Sequence, residues 1–138
     1  MIDPKELRLE NLLWLPGINR FVKVSAIFKT HFRCQDFDGI SFDESIRVNY
    51  QPVELTPDIL EAAGFDSENY MFIKDVFDSR IAICYDYGDR QCGVGFSQRH
   101  MFWTNCKYLH QLQNLLYCLT GDELQIDINK INNNYERH

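Results

Sequence analysis

Residues 108–121 read YLHQLQNLLYCLTG, and this stretch decides most of the predicted fold. Its apolar side chains recur at the spacing i, i+4, i+7, i+8 and i+11, which places them on one face of an α-helix. They are Tyr108, Leu112, Leu115, Leu116 and Leu119. Thr120-Gly121 ends the pattern, as glycine commonly does just after a helix. The stretch therefore predicts a helix that packs through its leucines on a sheet.

Polar residues lie between these leucines. His110, Gln113 and Asn114 share one side of the predicted helix with Tyr117, and Gln111 flanks them. The set is either a working surface or a structural one, in which the amides satisfy neighbouring backbone groups and strand edges.

Strand patterns occupy most of the chain before this helix. RFVKVSAIF (20–28) alternates apolar and polar residues, as a half-buried strand does. SFDESIRVNY (41–50) predicts a strand centred on Ile46, Val48 and Tyr50. Three further strands are predicted as a meander, at 70–77, 80–88 and 93–104, and a last short strand at 123–128. Gly93 and Gly95 predict a bulge or a close backbone approach in the third strand of the meander.

A second, short helix is predicted within PVELTPDILEAAGF (52–65). Thr56 is a suitable N-cap and Pro57 a suitable first helical residue. Gly64 permits a left-handed cap, on which Phe65 folds back.

The length of 138 residues fits one domain. We predict a single α+β domain over 1–128 and a polar tail over 129–138. It contains a curled antiparallel sheet with an SH3-like N-terminal part, and two helices. No apolar run is long enough to predict a membrane span.

The charges are segregated along the chain. Residues 35–89 carry 13 acidic and 3 basic side chains, whereas residues 90–121 carry Arg90, Arg99 and Lys107 and no acid. Burial of 90–121 is one explanation, because buried elements shed carboxylates. The other is a surface with an acidic and a mildly basic side, suited to a protein that itself carries nucleic acid. The net charge of −6 argues against binding to free DNA.

The segment SQRHMFWTNCKY (97–108) mixes basic and aromatic residues. Such residues stack on bases and hold phosphates, and they are also common hot spots of protein interfaces. Neighbours on a strand face opposite ways, so either Phe102 or Trp103 is expected to point outward. The candidate contact residues for a partner protein or RNA are Arg90, Arg99, His100, Phe102, Trp103 and Lys107.

The chemistry-bearing residues form no recognisable catalytic motif. The five cysteines are odd in number and lack a CxxC spacing, which indicates reduced thiols. His31 and Cys34, with Cys106 and His110, have poor spacing for zinc. The sequence thus predicts no catalytic residues, metal or cofactor, and a protein that is not an enzyme.

KYLHQLQNLLYCLTGDEL (107–124) resembles the C-terminal signature of a family of small proteins from phages and mobile elements of Bacteroidota, which read like YVHQLQNLYFALTGEEL. ELRLENLLWL (6–15) resembles the family's ELRIGNLV, and PVELTPDILEAAGF resembles its PIPLTEEILLKCGF. The three blocks cover roughly half of the chain in the family's order. Glu10 departs from the pattern, where glycine is usual. Because the 107–124 block recurs, we interpret its polar residues mainly as structural.

The resemblance implies a phage or mobile-element origin, and with it the cytoplasm of a bacterial host cell. Small proteins of that origin often block a host defence system. The sequence hypothesis is therefore a non-enzymatic interaction protein, an anti-CRISPR inhibitor that binds an RNA-guided effector nuclease or its RNA complex. One alternative is an RNA- or nucleotide-binding module that uses Arg90, Arg99, Trp103 and Lys107. Another is a small hydrolase or nuclease that uses His100 and His110.

Overall fold

A computed structural model describes residues 2–68, 71–76, 81–95 and 101–131. Over these residues the chain forms two five-stranded antiparallel sheets and two α-helices, which confirms the predicted α+β class. Sheet 1 consists of β1 (Leu12–Leu15), β2 (Arg20–Ile27), β3 (Phe32–Gln35), β4 (Ser41–Glu44) and β5 (Gln51–Pro52). Sheet 2 consists of β6 (Asp66–Glu68), β7 (Met71–Val76), β8 (Ile81–Asp86), β9 (Gln91–Gly95) and β10 (Met101–Asn105). The helices are α1 (Pro57–Ala62) and α2 (Leu109–Thr120).

The strand orders are β4-β3-β2-β1-β5 in sheet 1 and β10-β9-β8-β7-β6 in sheet 2. Two connections join the sheets. The chain passes from sheet 1 to sheet 2 through α1, and an isolated β-bridge pairs Glu54, before α1, with Tyr108, directly before α2. The SH3-like form of the N-terminal part stays a prediction.

Sheet 1 is buried on both faces at β1, which explains the uninterrupted apolar run LLWL. Leu13 packs in a smaller core with Val22 and Phe32. Leu12 and Trp14 point the other way, into a larger core that contains α1, α2 and one face of sheet 2. The faces alternate because successive strand residues point to opposite sides.

The leucine face of α2 packs as the spacing predicts. Leu112 and Leu116 are buried in the larger core, and Leu115 and Leu119 lie at its border. Leu109, one residue into the helix, is buried there as well. The helix ends at Gly121, which has a φ of 75° and donates its N–H to the carbonyl of Tyr117.

The predicted caps of α1 are confirmed. The Thr56 hydroxyl accepts a hydrogen bond from the N–H of Ile59 at 3.3 Å. Gly64 adopts a φ of 87°, and Phe65 donates its N–H back to Leu60 and is itself buried. Two turns of helix are marginal alone, so this packing stabilises α1.

Three predicted strands differ from the structure. The strand over 41–50 ends at Glu44, and Ile46 lies in a turn with 60% of its surface exposed. The chain turns because Ser45 exchanges two hydrogen bonds with Phe32, one through its hydroxyl. The segment 93–104 is not one strand, because it is divided between β9 and β10.

The predicted last strand at 123–128 is wrong. This segment is extended without a sheet partner, and a short 3₁₀ helix follows at Ile128–Lys130. Asp127 donates its N–H to Ala62 at the end of α1, and Leu124 is buried against the helices. Ile131, within the predicted polar tail, is also buried in the larger core. Residues 132–138 lie outside the described residues.

Glu10 occupies a backbone conformation that favours glycine. Its φ is 76°, in the left-handed region that costs about 1–2 kcal/mol for residues other than glycine. Its carboxylate, which is about half exposed, lies 3.5 Å from the Lys23 ammonium, and a pair that solvent screens in this way stabilises little. We expect Glu10→Gly to raise the free energy of unfolding by about 1 kcal/mol, as measured by urea denaturation.

The control for this prediction is Glu61→Gly. Glu61 is exposed within α1, where glycine lowers stability by about 1 kcal/mol. The two substitutions should therefore move the urea midpoint in opposite directions. A lower midpoint for Glu10→Gly would contradict the argument from backbone strain.

Candidate functional site

The predicted contact segment forms the edge of sheet 2. β10 pairs with β9 in unbroken register, with Phe102 opposite Val94 and Trp103 opposite Gly93. It pairs with no other strand among the described residues. The N–H of Cys106 points to β9, where it donates to Arg90. Because backbone groups alternate along a strand, those of Trp103 and Asn105 point to the open side.

The two aromatic residues of β10 project from opposite faces of the sheet. Phe102 lies on the same face of the sheet as its cross-strand neighbour Val94 and the buried Ile83, at the margin of the larger core. Its side chain is 85% exposed. Trp103 lies on the other face and is 42% exposed. Trp103 is therefore the residue of the pair that lies on the face away from the larger core. Phe102 lies on the core side of the sheet but beyond the margin of that core, and so it is exposed as well.

Gly93 makes room for the Trp103 ring. A Cβ at Gly93 would stand 3.0 Å from three carbons of that ring. The strand register is regular on both sides of Gly93, so the glycine is not in a bulge. Gly93 therefore accommodates an aromatic side chain from the neighbouring strand, and not the bulge or the close backbone approach that the sequence predicted.

The basic residues of the segment are engaged within the chain. Arg90 donates through Nη1 to the carbonyl of Leu55 at 2.9 Å, and its guanidinium lies 4.5 Å from the Tyr87 ring centroid. The Lys107 ammonium lies 3.6 Å from the Glu54 carboxylate. These contacts do not form the free basic patch that an RNA-binding module needs. Arg99 and His100 lie outside the described residues.

The amides of α2 are structural, as interpreted from the sequence. Gln111 accepts the N–H groups of Lys107 and Tyr108 through Oε1, at 2.9 and 3.0 Å, and so caps the start of the helix. The N-cap residue is Tyr108, which two residues separate from β10. Such a glutamine at the third helical position is typical of a capping box.

Gln113 and Asn114 hold the N-terminal segment against α2. Gln113 is buried and accepts the N–H of Leu12 at 2.9 Å. Asn114 accepts from the side chain of the buried Asn11 at 2.8 Å and donates to the carbonyl of Glu6 at 3.0 Å. The side chains of Gln113 and Asn114 therefore supply hydrogen-bond partners to groups of β1 and its preceding loop that no strand pairs with.

His110 differs from its neighbours because no hydrogen bond satisfies it. The residue is 1% exposed, and neither Nδ1 nor Nε2 has a hydrogen-bond partner among the described residues. Nε2 lies 3.9 Å from Oε2 of Glu6, which is too far for a hydrogen bond. Burial lowers the pKa of His110 to about 4, so the imidazole is neutral near pH 7.

His110 lines a cleft of about 1030 Å³ that the sequence did not predict. Aromatic, prolyl and carboxylate side chains meet there from sheet 1, from the turn between β8 and β9, and from the beginnings of α1 and α2. The lining includes Glu6, Trp14, Tyr50, Gln51, Pro52, Glu54, Pro57, Asp58, Tyr87, Arg90, Tyr108 and His110. These residues lie up to 104 positions apart in the sequence, and no local motif joins them.

Three of the five cysteines are buried in surroundings that do not favour a nucleophile. Burial raises the pKa of the Cys34 and Cys106 thiols to about 12 and raises that of Cys92 further. A thiol nucleophile needs the opposite shift. In the part of the chain that the structure describes, no group of three or more His, Cys, Asp or Glu is placed to hold a metal ion. Nor does that part contain a helix long and apolar enough to cross a membrane.

Comparisons of the chain with protein-family models, with curated proteins and with solved structures found no match.

Proposed function

We propose that this protein is a non-enzymatic interaction protein that binds a partner protein through the open edge of sheet 2. The observation that carries the proposal is Phe102, which is 85% exposed on an edge strand and has the half-exposed Trp103 beside it. An edge strand offers backbone groups to a partner strand, and aromatic residues supply much of the affinity of protein interfaces. A partner on β10 would contact both faces of the sheet through these two rings.

The charge of the chain favours a partner with a basic surface. The net charge is −6, and the acidic side chains are concentrated in residues 35–89. Proteins that hold nucleic acid present basic surfaces, which attract an acidic competitor. Because β10 itself lies in the acid-free segment 90–121, this attraction acts on the approach of the partner and not on the contact at β10. Together with the family resemblance, this supports an inhibitor that binds a host RNA-guided effector nuclease or its RNA complex. The proposed partner rests on that resemblance, and the proposed surface rests on β10.

Phe102→Ala tests the surface. We expect the wild-type protein to be recovered with an effector complex at a stoichiometric ratio in a pull-down. Phe102→Ala should bind about thirtyfold more weakly, because loss of an interface hot spot costs about 2 kcal/mol. Its thermal unfolding midpoint should stay close to that of the wild type, since the side chain is almost fully exposed.

Ile46→Ala is the matched control, because Ile46 is also a large exposed apolar residue but lies in a turn outside sheet 2. It should bind as the wild type does. Wild-type binding by Phe102→Ala would exclude β10 as the surface. Failure of the wild-type protein to bind any effector complex would exclude the proposed class of partner.

A further inference from the structure

We propose that the cleft around His110 binds the side chain of an arginine presented by a peptide segment. The cleft is formed by other residues than the exposed aromatic rings of β10, so this site does not depend on the proposed function. Three features of the lining select a guanidinium group: its charge, an unsatisfied buried imidazole and its aromatic walls.

The charge of the lining favours a cation. Glu6, Glu54 and Asp58 contribute three carboxylates, and Arg90 is the basic residue of the lining. Glu54 also pairs with the Lys107 ammonium beside the cleft at 3.6 Å, which leaves a net charge of about −1 at the site. Arg90 is already bound to the Leu55 carbonyl and stacked on Tyr87. The surplus of negative charge attracts an arginine and repels a phosphate.

His110 is an independent sign of a ligand. A buried polar atom without a hydrogen bond is rare, because the loss of its hydration is not offset. Nε2 of His110 faces the Glu6 carboxylate across 3.9 Å, and both residues line the cleft. A neutral imidazole has one acceptor nitrogen, and a carboxylate only accepts. A ligand with two N–H groups that lies beside this pair, each N–H at about 2.9 Å from one acceptor, satisfies both groups.

The aromatic walls favour arginine over lysine. The Tyr108 ring lies parallel to the His110 ring, with an angle of 9° and 5.8 Å between centroids. Trp14 and Tyr87 also line the cleft. A guanidinium is planar, stacks on aromatic rings and carries five N–H donors, whereas an ammonium is a compact charge with three. An arginine side chain can therefore stack on the aromatic rings of the cleft and donate hydrogen bonds to its acceptor groups at the same time.

The test is an NMR titration of the ¹⁵N-labelled full-length chain with the blocked peptide Gly-Arg-Gly. Two control peptides separate the contributions. Gly-citrulline-Gly has the shape of the arginine peptide without its positive charge, and Gly-Lys-Gly has the positive charge without the planar guanidinium group. We expect the amide signals of Gln51, Glu54 and His110 to shift, with at least about tenfold tighter binding of the arginine peptide than of the citrulline peptide at low salt. The difference should shrink as salt screens the carboxylates.

Carboxylate variants locate the site. Glu54→Gln and Asp58→Asn should each weaken binding about fivefold at low salt. Glu61→Gln makes the same charge change on α1 at an exposed residue outside the lining, and should leave affinity unchanged. His110→Phe should abolish the preference for arginine over lysine while its thermal unfolding midpoint at pH 7 stays near that of the wild type.

Equal binding of the citrulline and arginine peptides would overturn the proposal, as would equal weakening by Glu61→Gln. Adenosine monophosphate is the competing probe. Tighter binding of this nucleotide than of the arginine peptide, at the same amide signals, would assign the cleft to phosphate ligands and refute the arginine site.

Discussion

Gln113→Leu is expected to lower the free energy of unfolding by about 3 kcal/mol. The Gln113 side chain is 2% exposed, accepts the N–H of Leu12 at 2.9 Å and donates to the carbonyl of Glu10. Leucine has nearly the same volume but no polar atom. The substitution leaves two backbone groups without partners beside the core, and each such group costs about 1–3 kcal/mol. Urea denaturation monitored by tryptophan fluorescence measures the loss, since Trp14 lies in the same strand as Leu12.

The control is Gln125→Leu, which makes the same chemical change at an exposed residue. It should change stability by less than about 0.5 kcal/mol. A similarly small effect of Gln113→Leu would mean that water replaces the amide, and that Gln113 does not fix β1 against α2.

The helices were predictable because their signals are local. Thr56, Pro57 and Gly64 mark the ends of α1 by their own conformational preferences, and the leucine spacing marks one face of α2. For the amide side chains of α2, the sequence predicted a structural role but not the hydrogen-bond partner of each residue. That Gln113 completes the hydrogen bonding of β1 depends on a contact across 101 residues, which no local pattern records.

The wrong strand predictions share a physical cause. Apolar residues at 123–128 alternate as in a strand, but Leu124 is buried in the larger core, in a segment that pairs with no strand among the described residues. Ile46 fits a strand pattern and yet lies in a turn that Ser45 and Phe32 hold together. Alternation reports which side chains are buried, whereas strand formation also needs a backbone partner supplied by distant residues.

The candidate site divides in the same way. Strand alternation alone predicted that one of Phe102 and Trp103 lies on the face away from the core. It did not predict the 85% exposure of Phe102, because that ring lies on the core side of the sheet beyond the margin of the core. The positions of Arg90 and Lys107 did not follow from the sequence, because their partners Leu55 and Glu54 come from a different part of the chain. The cleft could not be predicted from the sequence either, because it forms only where sheet 1, the turn between β8 and β9 and the two helices meet. The sole sequence signal for it was His110, a histidine on a helix whose other polar residues are amides.

Acidification is expected to remove about 3 kcal/mol of stability through His110 alone. An unfolded histidine has a pKa of about 6.5, and burial lowers the pKa of His110 to about 4. Between these values the unfolded chain binds a proton that the folded chain does not, so lowering the pH favours unfolding. The contribution is fully present above pH 6.5 and is lost as the pH falls to 4, and a gap of about 2.5 between the pKa values corresponds to about 3 kcal/mol.

His110→Phe isolates this contribution, because phenylalanine fills nearly the same space and does not titrate. Urea denaturation of both proteins at pH 7, 5.5 and 4 gives the difference, in which the titration of other groups largely cancels. The Glu6 carboxylate, 3.9 Å from Nε2, is a charged group that faces the imidazole in the wild type. We expect the free energy of unfolding of His110→Phe, relative to that of the wild type, to rise as the pH falls, by about 3 kcal/mol between pH 7 and pH 4. A constant difference between the two proteins over this range would mean that the imidazole is protonated at the same pH in the folded and unfolded chains, and therefore that it is hydrated rather than buried beside the cleft.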